Sequence, residues 1–224
     1  YDLLARSYTD AIIQPIRQKN EFQAMCKMID QYQGNAKSIF IADRGLESYN
    51  ILAHVQEKGQ FYLIRVKDLT SQNGIIPSLV NKLPVDQDSF DKSLTVTLTK
   101  KKTNEVKAEP EKYHVLCSKS SFDFLDLYFR QFYDLKIRVV RFPLSDGKHE
   151  CILTNLPQEE FSADDIKELY HMRWGIETSF RELKYSIGLT HFHSKKFDYI
   201  MQEIWARLIL YNFCEAITTR TVIK

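Results

Sequence analysis

Apolar positions along this chain change their period several times, and each change marks an element. Behind Asn20, a residue able to cap a helix, Phe22, Met25, Cys26 and Ile29 recur at helical spacing to about Gln31, and Gly34-Asn35 breaks the run. SIFIA, residues 38 to 42, is a short apolar run that suits a strand buried on both faces, with Asp43 at its carboxyl end. A helical pattern follows from Glu47 to Lys58, stopped by Gly59, and FYLIRV, residues 61 to 66, reads as another strand. Strand, helix and strand within about thirty residues make a βαβ unit, hence a parallel pair with a right-handed crossover.

Beyond Lys67 the period shifts. SLTVTLT, residues 93 to 99, alternates, and KIRVVRF, residues 136 to 142, is joined to HECILTNL, residues 149 to 156, by Ser145-Asp146-Gly147-Lys148, a hairpin signal. The stretch from Lys67 to about Gly147 therefore reads as a mostly antiparallel insertion. In FSADDIKELYHMRWGIETSFRELKYSIGL, residues 161 to 189, Ser162 and Asp165 form a capping-box start. One helix is expected from there to Ile187-Gly188, with Gly175 as its single weak point. Along it Tyr170, Arg173, Glu177, Arg181 and Lys184 fall within roughly 80° of one another, beside an apolar stripe of Leu169, Ile176, Phe180, Leu183 and Ile187. A second long helix is expected from Lys195 to about Thr219, packed beside the first, with Ile200, Ile204, Leu208, Tyr211 and Phe213 turned inward.

At 224 residues and 44% apolar content the chain can bury a substantial core. A net charge of +2 excludes a global basic field, but the charge is uneven. Between residues 92 and 141 stand 11 Lys or Arg against 6 Asp or Glu, which is +5 and leaves about −3 for the remainder. That stretch is where a polyanion would find positive charge. Cys26, Cys117, Cys151 and Cys214 form no C-x-x-C pair, which argues against a zinc site and fits reduced thiols serving as small core hydrophobes. No stretch approaches the roughly 20 apolar residues of a membrane span, and YDLLARSYTD has no signal-peptide pattern, so a soluble cytoplasmic protein is expected.

Phosphodiester chemistry without a covalent intermediate asks for carboxylates that hold two divalent cations roughly 4 Å apart. Asp43 at the end of a buried strand and Glu177 on an amphipathic helix are suitable, although 134 residues separate them. Each also has an ordinary reading: Asp43 as the turn-initiating residue of Asp-Arg-Gly, and Glu177 as the partner of Arg181 in a helical ion pair of a few tenths of a kcal/mol. His191-x-His193 reads as a loop closing the helix end rather than a metal site. Trp174 reads as a packing residue, with a place against DNA as the alternative. Lys100-Lys101-Lys102 is a solvated turn or a phosphate contact. The aromatic group Phe122, Phe124, Tyr128, Phe129, Phe132 and Tyr133 reads as the core of the insertion, with base stacking as the alternative.

Tyr170-x2-Arg173-x3-Glu177-x6-Lys184 reproduces the Y-x2-R-x3-E-x6-K signature of DDE transposases of bacterial insertion sequences, in the group called IS-four. SIFIADRG at residues 38 to 45 and the order of elements extend the likeness, so the chain resembles that family. The resemblance implies an α/β, RNase H-like (retroviral-integrase-type) core with a β-rich insertion. Residues 1 to 67 would be the first part of the core, 68 to 156 the basic insertion, and 157 to 224 the C-terminal helices with the catalytic Glu. It further implies that Asp43 and Glu177 are catalytic carboxylates that bind Mg2+, or Mn2+. Tyr170, Arg173 and Lys184 would contact transposon-end phosphates, with Arg181, one turn from Glu177, joining them.

The implied activity is metal-dependent cleavage and strand transfer of double-stranded DNA, at transposon ends and target, by two protomers on paired ends at the bacterial nucleoid. A nuclease or resolvase on the same fold and a non-catalytic DNA-binding remnant are the alternatives. One departure stands out: relatives carry a first catalytic Asp on an earlier strand, typically followed by Gly. Asp2 and Asp10 are the only acids before residue 20 here, and Asp2 reads as a hairpin residue. The chain is accordingly expected to be a truncated catalytic domain with two of three metal ligands, unable to cleave DNA by itself.

Overall fold

A computed structural model describes residues 1–34, 36–126, 128–145 and 147–221, so Asn35 of the expected helix break and Asp146 of the expected hairpin turn lie outside the described residues. The chain falls into two compact units, residues 21–170 and residues 1–20 with 171–224.

The first unit opens with α1 (Glu21–Gln31), β1 (Ile39–Ala42), α2 (Tyr49–Glu57) and β2 (Phe61–Val66). Gly59 follows α2 with φ +65°, a left-handed backbone that glycine adopts without a steric penalty. β1 and β2 pair in parallel from Ile39↔Phe61 to Ala42↔Ile64, as the βαβ reading requires. Next come the short α3 (Ile75–Ser78), β3 (Phe90–Thr99), the short α4 (Asn104–Ala108) and β4 (Tyr113–Val115). The hairpin of β5 (Phe132–Pro143) and β6 (His149–Thr154) leads into α5 (Ala163–His171).

Among the described residues, six strands make one sheet in the order β1-β2-β6-β5-β3-β4. The antiparallel strands beyond Lys67 therefore do not form a separate sheet. β6 returns to pair with β2, Leu63 opposite Thr154, and passes the sheet on through β5 to β3. Successive side chains on a strand point to opposite faces, and this divides the core. Phe40, Ala42, Tyr62, Ile64 and Val66 join Cys26 and Ile29 of α1 and Ile51, Leu52 and Val55 of α2 on one face. Ile39, Ile41, Phe61 and Leu63 join Val140, Ile152 and Leu156 on the other, against Ile166 and Tyr170 of α5.

Polar groups inside this unit are paired. Arg138 donates to both oxygens of Asp91 at 2.7 and 2.6 Å, and Arg141 to both oxygens of Asp68 at 2.7 and 3.1 Å. Burial opposes the charge on Asp68, but hydrogen bonds from Arg141 and the Cys151 thiol outweigh it and hold the carboxyl well below the usual range. Both arginines are buried, and their acids lie outside residues 92 to 141, so the +5 counted there overstates the charge that faces solvent. His54 of α2 is held between Asp30 and Asp123 at 2.8 and 2.9 Å. Cys26 and Cys151 are core residues as expected, whereas Cys117 and Cys214 are exposed.

The second unit contains α6 (Trp174–Tyr185), α7 (Phe197–Thr218) and the first twenty residues. Asp2 and Ser7 close a small antiparallel bridge, with Asp2 Oδ1 accepting from the N–H groups of Leu4 and Ala5, which is the hairpin role read for Asp2. Leu183, Leu208 and Tyr211 pack with Tyr1, Tyr8 and Ile204. Asn212 accepts from Tyr8 N–H and donates to Tyr8 C=O, both at 2.8 Å. α7 occupies the expected span beside α6, but Phe213 is 63% exposed and Phe180 44% exposed, so neither is the inward residue the periodicity suggested. Among the described residues no helix is long and apolar enough to cross a membrane.

The signature segment is two helices, not one. Its capping box forms as expected: Ser162 N–H and Oγ each donate to Asp165 Oδ2 at 2.7 Å, and Asp165 N–H donates back to Ser162 Oγ at 3.2 Å. α5 then stops at His171 and α6 starts at Trp174. At the joint Gly175 N–H donates to Met172 C=O and Ile176 N–H to Arg173 C=O, at 2.9 and 3.0 Å, a three-residue closure that tightens the turn. Gly175 is a poor helix former, which weakens the case for an unbroken run at this point. Within α6 the shared arc is kept by Glu177, Arg181 and Lys184, with Arg173 at its N-cap paired to Glu177.

Candidate active site

Asp43 follows β1 directly and caps the 3-10 turn Arg44–Leu46, its side chain accepting from Arg44 N–H at 2.7 Å. The turn-initiating reading is therefore correct locally, but it is incomplete. One register step beyond Ala42↔Ile64 sets Asp43 beside Arg65 on the adjacent parallel strand. Arg65 Nε and Nη2 lie 3.0 and 2.8 Å from Asp43 Oδ1, and its Nη1 lies 3.5 Å from Glu150 Oε1. Tyr170, only 6% exposed, donates its hydroxyl to the same Oδ1 at 3.4 Å. Burial works against the charge on Arg65, yet Tyr170 and Asp43 together leave the guanidinium more basic than usual. Arg65 was not among the sequence candidates. No local signal marks it: the βαβ reading sets the two strands side by side, but not the register that places the residue after SIFIA next to the fifth residue of FYLIRV.

Glu177 stands in the first turn of α6, where the positive end of the helix favours a carboxylate. Its partner is Arg173, whose Nη1 lies 2.7 Å from Glu177 Oε1, rather than Arg181 one turn on. The Arg173 side chain is 11% exposed and that of Glu177 is 43% exposed, so the guanidinium is packed away while the carboxylate remains reachable. Arg181 and Lys184 project from the same side of α6 into solvent. The candidates thus fall into two groups: Asp43 and Tyr170 come together in the sheet unit, and Arg173 and Glu177 come together at the start of α6 in the helix unit.

The remaining candidates sort clearly. His193 donates its N–H to Glu203 at 3.0 Å, and Arg207 donates to the His191 carbonyl at 2.5 Å, so the two histidines close the loop after α6. Trp174 does not pack: it is 56% exposed, with the Arg173 guanidinium 5.5 Å from its ring. Phe122, Phe124 and Tyr133 form a ring cluster in the core, whereas Tyr128 and Phe129 are 82% and 96% exposed and Phe132 is 39% exposed. Lys100 donates to Ser120 C=O at 2.9 Å, and Lys101 lies over Phe132.

Carboxylates such as Asp43 and Glu177 are the hard oxygen donors that Mg2+ takes. Among the described residues no three His, Cys, Asp or Glu are grouped to hold a metal ion.

Comparison with known proteins supplies the family. The model of the transposase DDE domain matches residues 1–213. InsL for insertion sequence element IS186A of Escherichia coli (strain K12) is 34% identical over 66 residues, which is 30% of this chain and 18% of that protein. The transposase for insertion sequence element IS421 of Escherichia coli matches to the same extent, 34% over 66 residues, 30% of this chain and 18% of its own length. The aligned stretch thus spans less than a fifth of either relative, while the family match runs over nearly the whole chain. With 213 of 224 residues matched, this chain belongs to the transposase DDE domain family.

Proposed function

We propose that this chain is part of the catalytic domain of a DNA transposase that cleaves the ends of an insertion sequence and joins them to a target, with Asp43 and Glu177 as its metal-binding acids. What carries the reading is the approach of the Tyr170 hydroxyl to Asp43 at 3.4 Å, which ties the first residue of the signature to the upstream acid across 127 residues. Divalent cations such as Mg2+ or Mn2+, when bound by such carboxylates, supply Lewis-acid activation of an attacking oxygen and charge relief at the leaving one. The protein groups would do the positioning. Arg173 orients Glu177 through the 2.7 Å ion pair, while Arg181 and Lys184 present cationic side chains to backbone phosphates. The partner is double-stranded DNA at transposon ends and target, held by two protomers. The fold is read as an RNase H-like core, in which residues 68 to 156 are a β-rich insertion that extends the sheet.

With two acids of the required set, the chain alone is expected to leave DNA intact in Mg2+. In a longer transposase that carries this sequence and a third acid, Asp43→Ala and Glu177→Ala should each abolish end cleavage, scored on a gel, while a mobility shift shows end binding retained. Cleavage by either variant would overturn the assignment. A non-catalytic DNA-binding protein is the second reading, and it is favoured by the two Arg65 nitrogens on Asp43, an arrangement equally suited to a structural ion pair. Strand-transfer products that disappear in Glu177→Ala would exclude it, and would also separate a transposase from a hydrolytic nuclease.

A further inference from the structure

The sheet unit has a cavity of about 260 Å³ beside its outer strand β4, lined by Ser78, Asn81, Lys82, Lys107, Tyr113 and His114 among others. Its cations are poorly compensated. Lys82 donates to Lys112 C=O at 3.4 Å, and among the described residues neither Lys82 nor Lys107 has a carboxylate within ion-pair distance. Burial lowers the pKa of Lys82, with Glu111 opposing, and burial followed by the Lys82 charge lowers that of His114. Lys82 and Lys107 bring two ammonium groups to one wall beside the His114 imidazole, and an anion between the ammonium groups would offset their like charge.

Aromatic rings continue from the cavity. Tyr113 forms part of its wall and lies 5.3 Å from the Phe132 ring, centroid to centroid. Lys112 sits 4.9 Å from the Tyr113 centroid and Lys101 5.4 Å from that of Phe132, with Glu109 at 3.4 Å from Lys112 as the nearby acid. Two rings, Tyr113 and Phe132, therefore lie side by side along this edge with a cation at each, Lys112 and Lys101. A free phosphate would use only the cavity, and an acidic peptide only the lysines. An unpaired nucleotide uses both, because its phosphate takes the cations and its base stacks on a ring.

We propose that this cavity binds a backbone phosphate of single-stranded DNA, with the adjoining base stacked on Tyr113 and Phe132. The choice of DNA rests on the transposase reading; the cavity and its residues are separate from Asp43 and Glu177. The test is fluorescence anisotropy of a labelled twelve-residue oligothymidylate titrated with the 224-residue chain. A duplex of equal length, inorganic phosphate and polyglutamate serve as competitors, and a melting curve checks that each variant is folded. Lys82→Gln with Lys107→Gln should weaken binding about tenfold and reduce the salt slope by about 0.7, the value for one phosphate contact on a single strand. Lys82→Arg with Lys107→Arg should restore both.

Tyr113→Leu should weaken binding at least about fivefold with the salt slope unchanged. Folded variants that bind as tightly as the parent would overturn the proposal. So would duplex or polyglutamate competing as well as the oligonucleotide, which would reveal a general polyanion surface, or inorganic phosphate binding where the oligonucleotide does not. Because the readout is binding without cleavage, its failure leaves the roles of Asp43 and Glu177 to their own assay.

Discussion

The sheet unit and the helix unit cover their apolar side chains to very different depths. In β2 the consecutive residues Tyr62, Leu63 and Ile64 are all fully buried, since packing lies on both faces of the sheet. In the helix unit Leu183, Leu208 and Tyr211 carry the core, while Trp174, Tyr185, Ile209 and Phe213 are 56%, 81%, 66% and 63% exposed. Geometry accounts for the contrast: a sheet covered on both sides encloses successive residues, whereas a pair of helices encloses one stripe of each. Local opening tracks such burial. Of the two acids proposed for catalysis, Asp43 is anchored in the deeper structure and Glu177 in the shallower one.

The harshest challenge to the sheet side of this contrast is to strip a partner from a buried charge. Asp91→Ala leaves the Arg138 guanidinium, 1% exposed, without its carboxylate, and should cost about 3–5 kcal/mol in urea unfolding. Replacing both residues by Leu should recover most of that loss. A single variant within about 1 kcal/mol of the parent would mean that water reaches Arg138.

Truncating one core leucine in each unit sharpens the contrast. Leu63 and Leu183 are both 0% exposed, and Leu→Ala at such sites costs about 2–5 kcal/mol. Leu63→Ala should accelerate hydrogen exchange throughout residues 21–170. Leu183→Ala should accelerate it only in residues 1–20 and 171–221. Uniform acceleration by Leu183→Ala would show one cooperative unit instead of two.

Acid should act visibly on the sheet unit. Asp68 lies below its ordinary pKa of 3.8, as does Asp123, where hydrogen bonds from Asn50 and His54 outweigh burial. A depressed carboxyl stabilises the fold above its unfolded pKa, and that contribution fades as pH falls through the folded value. Urea midpoints should therefore hold above about pH 5 and decline progressively below about pH 4. Asp68→Asn should lower the plateau and flatten the decline; an unchanged acid slope in that variant would remove Asp68 as its source. The smallest effect is expected from Tyr170→Phe. It deletes one hydroxyl bond of 3.4 Å while Arg65 keeps its hold on Asp43, so thermal unfolding should shift by less than about 1 kcal/mol.

Much of the sheet unit could be read from local pattern. SIFIA and FYLIRV each carry a short apolar run and form parallel strands, the alternating SLTVTLT lies within β3, and Ser162 and Asp165 form their capping box, because each of these signals acts over a few residues. Non-local pairing was not legible. Nothing within HECILTNL says that it will return to β2, and nothing within FYLIRV says that its arginine will face Asp43. The break at Met172-Arg173 escaped because Gly175 alone is a weak stop signal. Periodicity misplaced Phe180 and Phe213 for a different reason: it identifies an apolar stripe but not how wide a stripe the neighbouring helix can cover.

β6 is clasped on both sides, by β2 and by β5. The chain between those two contacts of the sheet is consequently no detachable cassette. Excising residues 67 to 148 would bare a whole flank of β6, turning its N–H and C=O groups into a template for strands of other molecules. A version trimmed in this way would be an adhesive, self-associating polypeptide.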